Sequence, residues 1–306
     1  MTLPNFVIVG AAKAGTTSLY KYLAQHPQIY VSPIKEPRYF APEYYTEFYH
    51  NAIGNQHRAQ GMSLAEYKTL FQGVTDETAI GEASTEYLLF EKSAKRIKTF
   101  LPNAKIIIIL RDPVERAFSA YSFHVRDGRE PLSFEKALSQ EMIRKKQRWQ
   151  VGWCYREGGL YYQQVKRYYQ LFPHDQIKLI IWRDLNQNPK EVCSDLFDFL
   201  QVNADFEPDL SRSNQSLTPK NKFLNRYLFQ NRELKKWLRK PLPEELYLRF
   251  TGPLKKMFFV PKESLDPDIK EHLRNSYSED IAKLEALISV DLSHWKQSSD
   301  QSISGQ

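Results

Sequence analysis

Apolar residues along this chain fall into two patterns, short unbroken runs and longer stretches at helical spacing. The run in NFVIVG ends at Gly10 and shows no alternation, so it reads as a strand buried on both faces. In TTSLYKYLAQHP, Leu19, Tyr22 and Leu23 fall on one helix face and Pro27 supplies the stop. Residues 32–62 are polar, aromatic and proline-bearing and read mostly as loop. SLAEYKTLF predicts a short helix with Ser63 as N-cap and Glu66 closing a capping box. FEKSAKRIKTFLP places Ile97, Phe100 and Leu101 together and ends at Pro102.

AKIIIIL is the second buried strand, and RDPVERAFSAYSFHV predicts a helix with Pro113 in its first turn. A helix over SFEKALSQEMIRKKQRW follows, then a helix over GGLYYQQVKRYYQLFP, a strand in QIKLIIW and a helix in PKEVCSDLFDFL. Residues 201–222 read as polar loop and 223–295 as mostly helical. Strands alternating with helices predict an α/β fold whose parallel sheet is covered on both faces. One domain over 1–306 is the simplest division, with an α/β core over about 1–200 and a helical C-terminal part over about 223–295.

Composition adds a preference for an anionic partner. The net charge is +7, with 42% hydrophobic and 13% aromatic residues, enough for a sizeable core. The two cysteines, Cys154 and Cys193, make no CxxC pair, and the seven histidines have no metal-site spacing. No signal peptide precedes the first strand, and no apolar run approaches the roughly 20 residues of a transmembrane helix. The expectation is a cytoplasmic protein with no metal. Asn214-Gln215-Ser216 matches a glycosylation sequon by pattern alone.

The chemistry starts at GAAKAGTTSL, residues 10–19. A glycine loop between a strand and a helix N-terminus directs backbone N–H groups and the helix dipole at an anion. Gly10 and Gly15 permit the turn, Lys13 adds a cation, and Thr16, Thr17 and Ser18 add hydroxyls. Lys13 lies inside the loop, whereas nucleotide triphosphatases place lysine after the second glycine. The residue after IIIIL is Arg111, where those enzymes put a metal-binding aspartate. Asp112 precedes Pro113 and suits a helix cap instead. A guanidinium grips phosphate bidentately, and Ser119, about two turns along the helix, faces the same way. This pairing argues for a ligand with an additional phosphate and against metal-dependent γ-phosphoryl transfer.

AAKAGTTSLYKYL, KEPRYF and LRDPVERAFSAY resemble the 5′-phosphosulfate loop, the acceptor-side loop and the 3′-phosphate motif of sulfotransferases that use 3′-phosphoadenosine 5′-phosphosulfate (PAPS). The chain is most similar to the carbohydrate branch, the heparan sulfate enzymes and their bacterial relatives. GGLYYQQVKRYYQLFP, IKLIIWRDLNQNPKEVCSDLFDFLQV and DLSHW extend the resemblance over most of the chain.

The resemblance implies a P-loop NTPase-like three-layer sandwich with a central parallel sheet. It implies that Lys13, Ala14, Gly15, Thr16, Thr17 and Ser18 hold the 5′-phosphosulfate, and that Arg111 and Ser119 hold the 3′-phosphate. Tyr161 would lie beside the nucleotide, and Lys220, in LTPKNK, on a basic loop over the 3′-phosphate. Glu36 takes the place of the catalytic base, and His124 is the alternative, one residue beyond Phe123, where some relatives carry a histidine. The basic run Arg144 to Trp149 is either a guide for an acidic acceptor or a solvated helix face.

The reaction implied is in-line transfer of a sulfuryl group to a hydroxyl or amine of a saccharide, glycolipid or small metabolite, without metal or nucleic acid. Many Golgi members carry a membrane anchor and a disulfide near the 3′-phosphate loop, which this sequence does not show. Ala83, within GEAS, replaces a lysine of several relatives. Those departures point to a bacterial-style soluble enzyme. The competing readings are a P-loop nucleotide kinase or phosphotransferase, and a non-catalytic basic module for acidic glycan or nucleic acid.

Overall fold

The computed structural model describes residues 2–46, 61–211, 217–219, 259–261 and 265–296. In chain order the elements are β1 (Phe6–Gly10), α1 (Thr16–Leu23), β2 (Ile29–Val31), α2 (Glu43–Thr46), α3 (Leu64–Thr69) and β3 (Ala79–Ala83). Then come α4 (Glu86–Leu89), α5 (Glu91–Phe100), β4 (Lys105–Leu110), α6 (Pro113–Arg126), α7 (Phe134–Ser139), α8 (Glu141–Lys146) and α9 (Tyr161–Leu171). They are followed by β5 (Ile177–Ile181), α10 (Trp182–Gln187), α11 (Pro189–Leu200), β6 (Leu217–Pro219), β7 (Phe259–Pro261), α12 (Pro267–Ile288) and α13 (Ser293–Lys296).

The first five strands form one parallel sheet in the order β2–β3–β1–β4–β5. All of β1 and β3, and all of β4 except Lys105, is buried, so helices cover both faces of the central strands. This is the three-layer, P-loop NTPase-like arrangement expected. The chain leaves β1 toward β3 and β2, then returns to the other side of β1 as β4. The strand order reverses between β1 and β4, and open α/β sheets bind ligands outside the carboxyl ends of strands at such a point.

Local predictions hold where the signal is local. Ser63 accepts the Glu66 N–H and Glu66 returns to the Ser63 N–H, completing the capping box. Asp112 caps α6 by accepting the Val114 and Glu115 N–H groups. Four described strands lie outside the predicted set, β2 and β3 in the parallel sheet and β6 and β7, which pair antiparallel with each other. β3 reads AIGEA, which lacks the β-branched character of a strand. Gly81 is required there, because a Cβ would stand 2.2 Å from the Phe6 ring on β1. The single helix predicted over SFEKALSQEMIRKKQRW is two, α7 and α8, broken at Gln140. The break lets Arg144 turn inward and pair with Glu130 at 2.5 Å, both side chains buried. The helical reading of 223–295 is met by α12 and α13 and departed from at β7, while residues 223–258 and 262–264 lie outside the described residues. Among the described residues, no helix is long and apolar enough to cross a membrane.

Candidate active site

The loop after β1 is built for close approach. Gly15 has φ 96°, and a Cβ there would stand 2.8 Å from Trp182 Cδ1. Glycine thus serves both the left-handed backbone and the aromatic wall behind it. No side chain caps the first N–H groups of α1 at Gly15, which leaves donors at a positive helix end. Ala14 and Thr16 are buried and Thr17 is exposed. Ser18 faces a groove shared with Lys21, Gln25 and Asp209, toward the outer side of α1.

Lys13 sits at φ 70°, with Nζ 4.2 Å above the Phe123 ring. Burial, reinforced by Arg126 and Arg111, lowers its ammonium to about 8, while Asp127 and Glu36 oppose the shift. Arg111, the first residue after β4, stacks its guanidinium 4.2 Å from the Trp182 ring. It pairs with Glu115 at 2.9 Å, and Nη1 approaches the Lys13 carbonyl at 3.5 Å. The two motifs, about a hundred residues apart in sequence, therefore meet against one tryptophan. Ser119 is half-buried on the next turns of α6, and β6 packs against that helix. Lys220, directly after β6 in sequence, lies outside the described residues. Tyr161 is fully buried, and its hydroxyl donates to the Arg111 carbonyl at 3.0 Å, so it reaches the site through the Arg111 backbone.

Glu36 occupies the facing loop, with its N–H bonded to the Ala83 carbonyl at 2.8 Å. Its carboxylate takes Lys35 at 2.9 Å, Arg38, and the Thr85 hydroxyl at 3.2 Å. Burial pushes this carboxyl up, but Lys35 and Arg38 outweigh it and hold it below the usual range. Arg38 also pairs with the half-buried Glu86 at 2.9 Å. Among the described residues six non-glycine residues have positive φ, and Lys13, Glu36 and Arg38 are three of them. Such strain gathers where a structure must hold functional side chains.

His124 is 5% exposed, stacked on Trp153 at 4.1 Å, with Nδ1 3.1 Å from the Tyr155 hydroxyl. Tyr155 donates to Glu130 at 2.8 Å, so its oxygen is left to accept the Nδ1 proton. That fixes Nε2 as the unprotonated nitrogen. Burial first, then Arg129 and Lys13, keeps the imidazole neutral, well below its ordinary value. The basic run 144–149 divides, with Arg144 buried against Glu130 and Lys146 exposed.

Three residues of the site have no sequence motif behind them. Trp182 stands directly after the buried run of β5 at the same sheet edge, a position that was the available signal. Phe123 and Thr85 support Lys13 and Glu36 across the fold and have no local signature.

A model of the sulfotransferase family matches residues 4–208. The crystal structure of a sulfotransferase from Alicyclobacillus acidocaldarius superposes with a TM-score of 0.78 at 36% identity, covering 97% of this chain and all of that one. The membrane-associated sulfotransferase kil1 of Dictyostelium discoideum is 27% identical over 68% of this chain and 59% of its own length. The human bifunctional heparan sulfate N-deacetylase/N-sulfotransferase 3 is 31% identical over 65% of this chain and 22% of its own length. The chain thus spans from about a fifth to three fifths of these two curated relatives. With a family match over two thirds of its residues and a sulfotransferase neighbour superposing along nearly its whole length, this chain belongs to the sulfotransferase family of transferases.

Proposed function

We propose that the protein transfers a sulfuryl group from PAPS to a hydroxyl or amine of a saccharide or glycolipid acceptor by in-line displacement. The observation that carries this reading is the meeting of Arg111 with the Lys13 loop against Trp182. A cation stands where a metal-dependent phosphotransferase needs an anion. The cradle fits the donor: uncapped helix N–H groups for one anionic end, and a bidentate guanidinium with Ser119 beyond it for a second phosphate. Lys13 and the turn Ala14, Gly15, Thr16, Thr17 and Ser18 would hold the 5′ end, Arg111 and Ser119 the 3′-phosphate, with Tyr161 fixing the Arg111 backbone and Lys220 a candidate for closing the site.

PAPS supplies an activated sulfuryl group whose departure places negative charge on the 5′-phosphate. Lys13, inside the loop, is the group placed to meet that charge. Glu36, held ionised by Lys35 and Arg38, would accept the acceptor's proton. His124 is the second candidate base, because its hydrogen bonds leave Nε2 unprotonated. The heparan sulfate enzymes among the relatives support a saccharide acceptor. A cytoplasmic setting is part of this reading, tested by cell fractionation.

Calorimetry without Mg²⁺ tests the donor assignment. Adenosine 3′,5′-bisphosphate should bind much more tightly than AMP, and Arg111→Ala should erase the preference. Equal affinity of the unaltered protein for both nucleotides would remove Arg111 and Ser119 from the assignment. A screen of saccharide and glycolipid acceptors with radiolabelled PAPS tests the acceptor class.

A further inference from the structure

Beneath the loop that carries Glu36 lies a carboxyl group with no part in the mechanism above. Glu82, on β3, is fully buried. Ser84 Oγ lies 2.8 Å from its Oε2, and Oε1 takes the Tyr87 hydroxyl at 2.7 Å and the Tyr67 hydroxyl at 3.3 Å. The same three residues hold the acceptor-side loop. The Arg38 N–H donates to Ser84 Oγ at 3.0 Å, and the Phe40 N–H donates to the Tyr87 oxygen at 3.3 Å. The Tyr67 ring stacks on Tyr39, with centroids 4.4 Å apart and planes 15° apart. The Glu36 N–H rests on the carbonyl of Ala83, next to Glu82. Residues 36, 38, 39 and 40 are thus all supported by Glu82's neighbours.

The directions of these bonds depend on Glu82. An ionised carboxylate only accepts, so each hydroxyl turns its single proton toward it. The oxygens of Ser84 and Tyr87 are then left with lone pairs for the Arg38 and Phe40 amides. If the group at 82 became a donor, one of those hydroxyls would have to accept from it. Where that hydroxyl is Ser84 or Tyr87, its own proton is displaced from the carboxyl and competes with the amide N–H for the space around the oxygen, so that anchor of the loop is weakened.

We infer that Glu82 is a positioning residue for sulfuryl transfer: ionised, it sets the Ser84 and Tyr87 hydroxyls so that they hold the 36–40 loop, and Glu36 with it, in its left-handed backbone. The inference rests on the reading of Glu36 as a group that acts in the transfer. Glu36 and Arg38 have φ of 62° and 56°, conformations that persist only when their surroundings impose them.

The arrangement is sensitive to pH. Burial raises the Glu82 carboxyl to about 7; the three hydroxyl bonds oppose the rise and Glu86 on α4 adds to it. Tyr20 from α1, Tyr67 from α3, Tyr87 from α4 and Tyr168 from α9 feel its charge, and burial keeps each of these phenols protonated. Because the folded value lies above the ordinary carboxylate value, ionising Glu82 costs stability as pH rises through about 7. The hold on the loop runs the other way and weakens as pH falls through the same range.

The test combines amide hydrogen exchange at Arg38 and Phe40 with calorimetry of adenosine 3′,5′-bisphosphate and turnover of PAPS with water or 4-nitrophenol as acceptor, across neutral pH. Glu82→Gln should raise exchange at Arg38 or Phe40, whichever amide rests on the hydroxyl that meets the new NH2 group, by at least about tenfold and lower turnover by about 10–100-fold. It should also flatten the acid limb of the rate profile and leave nucleotide affinity unchanged. Ser84→Ala should free Arg38 alone and Tyr87→Phe Phe40 alone, and these two variants carry the test if Glu82→Gln does not fold. Unchanged exchange at both amides in the variants overturns the inference. So does an unchanged rate and acid limb in Glu82→Gln while Glu36→Ala loses turnover. If Glu36→Ala keeps full turnover, it is the reading of Glu36 that fails, and the exchange rates alone decide whether Glu82 holds the loop.

Discussion

Lys13 shows how one side chain trades stability for function. Its ammonium is buried on the Phe123 ring among other cations, and its folded pKa falls to about 8 from an ordinary value of 10.5. The charged form is therefore penalised in the fold, fully so below about pH 8, and the penalty fades as pH rises from there toward the unfolded value. Catalysis needs that same charged form. We expect kcat/KM for PAPS to fall as pH rises past about 8, and Lys13→Ala to lose about 10²–10³-fold in kcat. Lys13→Met should unfold at a higher temperature than the unaltered protein while transferring almost nothing, because it keeps the packing and removes the buried charge. A melting scan beside a PAPS turnover assay checks both halves. The lysine was legible from its loop, but Phe123 beneath it was not, because that contact joins residues 110 positions apart with no spacing rule between them.

At the scale of elements, the site is a product of where strands end. Arg111 and the Lys13 loop follow adjacent strands, β4 and β1, so two local motifs and the prediction of a parallel sheet were enough to bring them together. β3 was missed because its glycine and glutamate answer to tertiary neighbours, Phe6 and three hydroxyls, rather than to strand propensity. The start of α6 separates the two phosphate chemistries. Asp112 accepts the Val114 and Glu115 N–H groups, the work of a helix cap rather than of a metal ligand. Asparagine caps as well as aspartate does, whereas alanine at such a position costs about 1 kcal/mol. We therefore expect Asp112→Asn, which keeps the cap and gives up the 3.6 Å ion pair with Arg274, to lose some stability but retain nucleotide affinity and turnover, and Asp112→Ala to lower stability by about 1 kcal/mol more and loosen Arg111. Urea unfolding and calorimetry with adenosine 3′,5′-bisphosphate measure this. A collapse of turnover in a folded Asp112→Asn that still binds the nucleotide would instead support a metal-dependent phosphotransferase.

Over the whole molecule, the sheet edge supplies the nucleotide cradle and a second polar assembly walls the site from the side of α6 to α8. Glu130 and Arg144, 3% and 4% exposed, are joined by two bonds of 2.5 and 2.9 Å. Glu130 also takes the Tyr155 hydroxyl and the Leu132 N–H, and Tyr155 in turn sets the tautomer of His124. α12 closes the far side, with Tyr277 donating to the Arg156 carbonyl at 2.9 Å and Asp280 accepting the Tyr162 N–H at 3.1 Å. The helix of α12 was legible from its period, but none of these contacts was, since a basic run in a helical stretch has the same pattern whether or not one arginine turns inward. Removing one partner of a buried pair leaves an uncompensated charge, so Arg144→Met should cost about 3–5 kcal/mol. Glu130→Gln together with Arg144→Met removes both charges and keeps one acceptor oxygen where Glu130 offers two, Oε2 to Tyr155 and Oε1 to Leu132. The double variant should recover more than half of that loss, a coupling that urea unfolding of the four proteins in the cycle will measure. Affinity for adenosine 3′,5′-bisphosphate should stay near its original value throughout, because the cradle is built on β1 and β4. If affinity fell in parallel with stability across the cycle, the wall and the cradle would be one cooperative unit.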